Sequence, residues 1–162
     1  MPNRKVAPNI PGHTLRTLNL IVDYDLSDEE AVRAGNYESW AAPPYDQDPP
    51  CVRHGKQKVE VVLIRFEAEL QRFDVGQAFK RMGLERAGIR ELLALGEQFP
   101  NLQRKSTIVA LSPDKKPKTD PWTSPFLGTR EIRGKMRRVF TIPLFEIWWD
   151  HPVRFLATRK TT

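Results

Sequence analysis

The chain has 162 residues, 40% of them hydrophobic, and a formal net charge of +6, which suits one domain built around a single core. Its one cysteine, Cys51, excludes an internal disulfide framework and favours a reducing compartment. Because no apolar run approaches the roughly 18 residues of a membrane span, and residues 1–12 lack the core of a secretory signal, we expect a cytoplasmic protein without a membrane partner.

The first regular element is predicted to be a strand. Residues 1–16 contain three prolines and show no periodicity, so we expect an extended or disordered arm there. Residues 17–24 show the period of two that is typical of a half-buried strand. The side chains on its apolar side are Leu18, Leu20, Val22 and Tyr24.

A short helix is predicted next. Ser27 and Glu30 have the S-x-x-E spacing of a capping box, so the helix should begin at about Asp28 and end at Gly35. Residues 36–57 contain several prolines and no clear period, and therefore predict a long loop.

Three aromatic residues of this loop allow two interpretations. Tyr37, Trp40 and Tyr45 would pin the loop to the domain if they fill small apolar clusters beneath it. Alternatively, Trp40 and Tyr45 would form an exposed platform for a ligand. The sequence leaves both interpretations open.

Two amphipathic helices are predicted in residues 74–99, separated by Gly83. Asp74 is placed to cap the first helix, and Gly96 and Pro100 are interpreted as stop signals for the second. The apolar stripe of the first helix consists of Val75, Ala78, Phe79 and Met82. Since each helix has only about two to three turns, we expect both to pack as a layer on a sheet.

The sheet is predicted from four further segments. Residues 58–66 contain the run VVLI, which is apolar on both faces and favours a central strand. Residues 107–111 and 153–159 are predicted as short strands. Residues 138–144 also alternate, but Pro143 cannot donate a backbone hydrogen bond, so an edge position or a strand end is expected there.

No catalytic or metal-binding pattern is visible. Cys51 and His54 have C-x-x-H spacing, but a structural zinc site usually takes four Cys or His ligands, and His13 and His151 are distant in the sequence. The glycines match neither common phosphate-binding loop. We therefore expect a protein that is not an enzyme, with no catalytic residue, metal or cofactor.

Positive charge is concentrated in the last third of the chain. Residues 101–162 hold 13 Lys and Arg against 5 Asp and Glu, whereas residues 1–100 hold 13 against 15. Residues 112–135 are predicted to be a long polar excursion. The cations in and just after it are Lys115, Lys116, Lys118, Arg130, Arg133, Lys135, Arg137 and Arg138.

These cations are interleaved with Trp122, Phe126 and Phe140, and this pattern also has two interpretations. Cations that neutralise phosphates, with aromatic rings that stack on bases, are typical of single-stranded nucleic-acid binding. A solvated charged face with the aromatic rings turned into the core would satisfy the same residues.

A dense aromatic segment follows near the C-terminus. Trp148 and Trp149 cannot both point inward from a regular strand. One of them would either contact a ligand or partner beside Asp150 and His151, or be buried under a loop.

The candidate binding surface combines residues 112–135 and 145–152, because binding residues tend to lie on loops held by a rigid scaffold. Its candidate residues are Trp122, Arg130, Arg133, Lys135, Arg137, Arg138, Trp148, Trp149 and His151.

Three segments carry a resemblance to a known fold: GLERAGIRELLALG at 83–96, LQRKSTIVAL at 102–111 and RFLATRK at 154–160. They resemble the C-type lectin-like fold, in particular its bacterial branch with formylglycine-generating-enzyme-like domains, and a group of uncharacterised bacterial proteins. The resemblance implies two consecutive short helices packed on a mixed, mainly antiparallel sheet with long loops that bind a ligand.

The chain departs from that family at its functional motifs. The E-P-N and Q-P-D triplets of calcium-binding lectins are absent, and only Trp149-Asp150 distantly echoes their W-N-D triplet. The single cysteine differs from the paired cysteines of formylglycine-generating enzymes. The resemblance therefore implies a binding scaffold, without calcium-dependent sugar binding or that enzyme's activity.

The sequence as a whole predicts an α+β protein. We expect the arm at 1–16 and one domain at 17–162, divided into an N-terminal extension at 17–57 and a C-type lectin-like core at 58–162. The expected function is a non-enzymatic module that binds a small ligand or a protein. The alternative is a nucleic-acid-binding protein that uses the basic C-terminal loops.

Overall fold

The computed structural model of the chain describes residues 12–41, 53–66, 72–111, 124–142 and 153–159. Within these ranges four helices accompany one sheet of eight strands, which confirms the α+β class. None of these helices is long and apolar enough to cross a bilayer. The elements are β1 (Gly12–Asp23), α1 (Asp28–Ala34), β2 (Ser39–Ala41), β3 (Lys56–Phe66), α2 (Arg72–Arg81), β4 (Leu84–Arg86), α3 (Ile89–Gln98), α4 (Leu102–Lys105), β5 (Thr107–Ala110), β6 (Phe126–Ile132), β7 (Lys135–Thr141) and β8 (Val153–Arg159).

The strands follow the order β1-β3-β8-β5-β6-β7-β2, and β4 pairs with β8 beyond the end of β5. Five of the strand pairs are antiparallel and two are parallel, so the predicted mixed, mainly antiparallel sheet is confirmed. The segments predicted at 58–66, 107–111 and 153–159 form β3, β5 and β8, which are neighbours in the middle of the sheet.

Strand β3 is buried on both faces, as its apolar centre predicts. Val61 and Leu63 pack into one core cluster, whereas Val62 and Ile64 pack into the other. Helices α1, α3 and α4 cover the first face of the sheet and α2 covers the second. The expectation that α2 and α3 form one layer is wrong, because the chain joins the sheet as β4 between them and so passes from one face to the other.

The N-terminal part is more regular than predicted. Strand β1 begins at Gly12, within the predicted arm, and pairs with β3 up to Phe66 with a bulge between Thr14 and Arg16. The predicted loop at 36–57 contains β2 and the start of β3. Its three aromatic residues differ: Tyr37 is buried in the core and Trp40 is 49% exposed, whereas Tyr45 lies outside the described residues.

The predicted excursion at 112–135 is partly a hairpin. Strands β6 and β7 are joined by Arg133 and Gly134, whose φ angles of 51° and 78° are those of a tight two-residue hairpin turn. Strand β7 ends at Thr141, which confirms the strand end expected near Pro143; the alternative of an edge position is wrong, because β7 lies between β6 and β2. Pro143 itself falls outside the described ranges.

The helix ends test the predicted capping signals. Both hydrogen bonds of the capping box are present, from the Glu30 amide to Ser27 Oγ and from the Ser27 amide to Glu30 Oε1, each at 3.1 Å. Asp74 lies in the first turn of α2 instead of capping it. Gly83 follows α2 with a φ of +72°, as expected for a helix stop.

Gly96 does not end α3, which continues to Gln98. A Cβ atom at Gly96 would overlap the hydroxyl oxygen of Tyr37 and lie 2.8 Å from its Cζ. Tyr37 is buried, and its hydroxyl donates to the Leu93 carbonyl at 3.1 Å. Glycine is therefore present inside α3 because it leaves room for this ring.

Substitution Gly96→Ala tests this packing. Alanine favours a helix by up to about 1 kcal/mol, but overpacking against a fixed ring outweighs that gain, so we expect the free energy of unfolding to fall by about 2 kcal/mol. Urea unfolding measures the change. Gly128→Ala is the control, because its nearest atom would lie 3.6 Å away. A stabilised Gly96→Ala variant would show that Tyr37 moves aside freely.

Candidate anion-binding site

Five of the nine candidate binding residues lie on the β6–β7 hairpin. Arg130, Arg133 and Lys135 are exposed, and Arg137 is half-buried and pairs with Glu38 at 3.2 Å. The remaining candidates lie outside the described residues; they are Trp122, Trp148, Trp149 and His151. Phe126 and Phe140 pack into the core, as the second interpretation of the basic segment predicted.

Arg138 corrects the prediction of an exposed binding residue, because its side chain is only 6% exposed. The guanidinium donates to the carbonyl oxygens of Gly96 at 2.6 Å and Gly35 at 3.1 Å. It also donates to Gln103 Oε1 at 3.1 Å and lies 4.9 Å from the ring centre of Tyr37. These partners satisfy the buried charge, so Arg138 has a structural role.

Gln103 completes this polar cluster and is also almost fully buried. Its Nε2 donates to the carbonyl oxygens of Gly128 at 2.8 Å and Val139 at 3.1 Å, while its Oε1 accepts from Arg138. Burial lowers the pKa of the Arg138 guanidinium and raises the pKa of the Tyr37 hydroxyl. The cluster fixes α4 against the hairpin.

Helix α4 forms one wall of a cavity of about 410 Å³ at the amino ends of β5 and β8. The register Ile64↔Phe155 places Arg65 beside Arg154 on neighbouring strands. By strand alternation both side chains lie on the sheet face that α4 covers. The lining residues are Arg65, Gln103, Arg104, Lys105, Ser106, Thr107, Thr129, Val153 and Arg154.

The lining of this cavity is strongly cationic. Among the described residues that line it, four are Lys or Arg and none is acidic. Arg65, Lys105 and Arg154 form no ion pair within the described part of the chain. Arg104 is held at the rim, because it donates to the Met136 carbonyl and to Glu38 Oε1, each at 3.3 Å.

Glu38 links the cavity to the hairpin, because it pairs with both Arg104 and Arg137. Loss of solvent raises the pKa of its carboxyl, but the hydrogen bonds and charges of these two arginines outweigh that effect and hold the pKa below its ordinary value. Glu38 is therefore ionised at neutral pH and offsets part of the positive charge between the two regions.

Ser106, Thr107 and Thr129 also belong to the lining. Thr129 presents its hydroxyl on the sheet face that Arg65 and Arg154 share, whereas strand alternation places the Thr107 side chain on the opposite face. Ser106 Oγ is buried without a hydrogen-bond partner among the described residues. The guanidinium and ammonium groups of the lining each donate several hydrogen bonds and carry positive charge, so the cavity is suited to an anion with several oxygen atoms.

In the part of the lining that the structure describes, the cavity offers binding groups and contains no carboxylate or histidine that could form an acid–base pair. The described residues also contain no group of three or more His, Cys, Asp or Glu side chains placed to hold a metal ion. His54 is exposed and lies 3.7 Å from Asp25, while Cys51 is outside the described ranges.

Sequence reasoning missed this cavity because its cations come from β3, α4 and β8. Arg104, Lys105 and Arg154 lie in segments that carry the fold resemblance, and a resemblance in fold gives no signal for the role of an individual side chain. No family model, curated protein or solved structure matches the chain. The function therefore rests on the chemistry of the site.

Substitution Arg138→Met tests the structural role of the buried guanidinium. We expect the free energy of unfolding to fall by about 3 kcal/mol, because buried carbonyl oxygens lose a charged donor. Urea unfolding measures this change. Lys135→Met, an exposed cation of the same hairpin, should change stability by less than about 0.5 kcal/mol. Equal stability of the two variants would contradict the role given to Arg138.

Proposed function

We propose that this protein is a non-enzymatic binding module that holds an anionic, phosphate-bearing ligand in the cationic cavity. The observation that carries the proposal is the convergence of Arg65, Lys105 and Arg154, without an acidic partner among the described residues, on one cavity. This is a more specific form of the small-ligand module expected from the sequence.

The placement of Arg65 beside Arg154 supports an anion between them. Like charges directly opposite each other on neighbouring strands destabilise a sheet. A phosphate group would remove this repulsion, since a guanidinium presents two parallel N–H groups that match its oxygen atoms. Lys105 would add a third positive charge from α4. Binding of the anion would replace the repulsion among these cations with charge-assisted hydrogen bonds.

For the scaffold, the C-type lectin-like fold stays a proposal. It is supported by the mixed, mainly antiparallel sheet and by the position of two resembling segments on the neighbouring strands β5 and β8. The placement of α2 and α3 on opposite faces departs from the expected single layer. An experimental structure superposed on that fold, strand by strand, tests the assignment.

For the compartment, we propose the cytoplasm. A single cysteine suits a reducing environment. Fractionation of cells that express the tagged chain tests this proposal.

Titration with sodium pyrophosphate tests the cavity, with amide chemical shifts as the readout. We expect Arg65→Gln/Arg154→Gln to weaken binding at least about tenfold, because two charged donors are lost. The shifts in the wild-type protein should concentrate in residues 105–107 and 153–154. The matched control is Lys56→Gln/Lys58→Gln, which removes two exposed charges near the other end of β3.

Three outcomes would overturn the proposal. The first is equal weakening of pyrophosphate binding by the two double variants, and the second is chemical-shift changes located away from the cavity. The third is no binding to the wild-type protein at about 10 mM pyrophosphate, a concentration that would reveal even a weak specific site.

A further inference from the structure

The β6–β7 hairpin carries a second set of cations, and their placement lowers the local stability of the hairpin. Arg130 lies directly opposite Arg137 in the strand register, and facing like charges destabilise a β-ladder. Arg137 has a partner in Glu38, but Arg130 forms no ion pair within the described ranges. The sequence thus holds a charge on β6 that its nearest neighbour repels.

Arg133 adds a second local cost at the turn. Its φ of 51° lies in the left-handed region, where glycine, asparagine and aspartate fit more easily than arginine. Gly134 follows with a φ of 78°, so both turn residues are left-handed. Arginine at the first position places a charged side chain at the tip of the hairpin in an unfavoured backbone conformation.

One face of the hairpin collects these charges. By strand alternation, Arg130, Lys135 and Arg137 point to the same face, and Arg133 lies at its end. Glu131, which faces Met136 in the register, points to the other side. We call the set of Arg130, Arg133, Lys135 and Arg137 the hairpin face.

We propose that the hairpin face binds the phosphate backbone of a nucleic acid. Lys135 and Arg137 alternate along one strand, about 6.7 Å apart, so the charges form a row instead of converging on one point. A row of cations complements a polymer that carries a charge on every unit, and arginine matches phosphate with two parallel donors. Local violations of backbone and charge rules are expected where a sequence serves function.

The hairpin face and the cavity lie on opposite faces of β6, although Glu38 pairs with one arginine of each. Thr129, which lines the cavity, and Arg130 are consecutive on β6 and therefore point to opposite faces. A loss of pyrophosphate binding by cavity variants and a loss of nucleic-acid binding by hairpin variants are separate observations. Either proposal can fail while the other stands.

Fluorescence anisotropy of a labelled single-stranded oligonucleotide and of a duplex of the same length tests the proposal. The test variant is Arg130→Thr/Arg133→Asn, which removes two positive charges. It also removes the repulsion between facing arginines and places a residue that favours the left-handed conformation at the turn. We expect affinity to fall about tenfold at low salt and the slope of log K against log salt to decrease by about 1.4 for the single strand. The midpoint of thermal unfolding should stay equal or rise.

The double variant Lys56→Gln/Lys58→Gln is the matched control for net charge, since both side chains are exposed on β3. It should keep most of the affinity and the wild-type salt slope. Equal losses in the two double variants would show that binding follows net charge alone, and would overturn the proposal. Loss of binding together with a lowered unfolding midpoint would assign these residues a structural role and overturn it too.

Glu38→Gln provides the opposite change. It releases both Arg137 and the cavity residue Arg104 from ion pairs, so affinity for the oligonucleotide should rise a few-fold, and the gain should persist in the Arg65→Gln/Arg154→Gln background, which lacks the two facing cavity arginines. Glu60→Gln is its control, because that change also frees an arginine, Arg159, from a 3.2 Å ion pair elsewhere. Equal gains from both variants would contradict the hairpin face.

Polyglutamate with the same number of charges as the oligonucleotide tests whether any polyanion binds. If the protein binds polyglutamate more weakly than the oligonucleotide, the nucleic-acid assignment is supported, whereas equal affinity overturns it.

Discussion

The interaction on which the rest of the structure depends is the burial of Arg138. Its guanidinium reaches the ends of α1 and α3 through the carbonyls of Gly35 and Gly96, and it holds Gln103 of α4. Gln103 in turn bonds the β6 and β7 backbones. One charged side chain thus fixes three helices and the hairpin, and it sets where α4 presents its own cations to the cavity.

Burial separates Arg138 from the other arginines of this region. The Arg138 guanidinium donates to backbone carbonyl oxygens and to the side-chain oxygen of Gln103. Arg65, Arg130 and Arg154, by contrast, have no acidic partner in the described ranges. Glu38 is the acidic group between the cavity and the hairpin, and it pairs with one cation of each. Because a single carboxylate serves two arginines, most of the positive charge on both sites stays available to an anion.

Local signals allowed much of the fold to be predicted. The capping box of α1 and the apolar runs of β3 and β5 are visible within a few residues of sequence. The sequence does not predict the β6–β7 hairpin, because its turn is Arg-Gly instead of the common Asn-Gly. It also does not predict that the chain changes sheet face between α2 and α3, because β4 is only three residues long. The cavity was missed because strand pairing, not sequence proximity, places Arg65 beside Arg154.

The apolar core and the concentrated positive charge lie in different parts of this sheet. The centre, where β3, β8 and β5 meet, is buried on both faces, so hydrophobic burial is the main stabilising contribution there, and the ion pair between Glu60 of β3 and Arg159 of β8 is half-exposed. The facing arginines lie at the end of β3 and β8 and in the β6–β7 hairpin. Repulsion at these positions lowers stability modestly and leaves the core packing intact. A fold built in this way tolerates concentrated positive charge at two surfaces, which is the condition that an anion-binding protein has to meet in its unbound state.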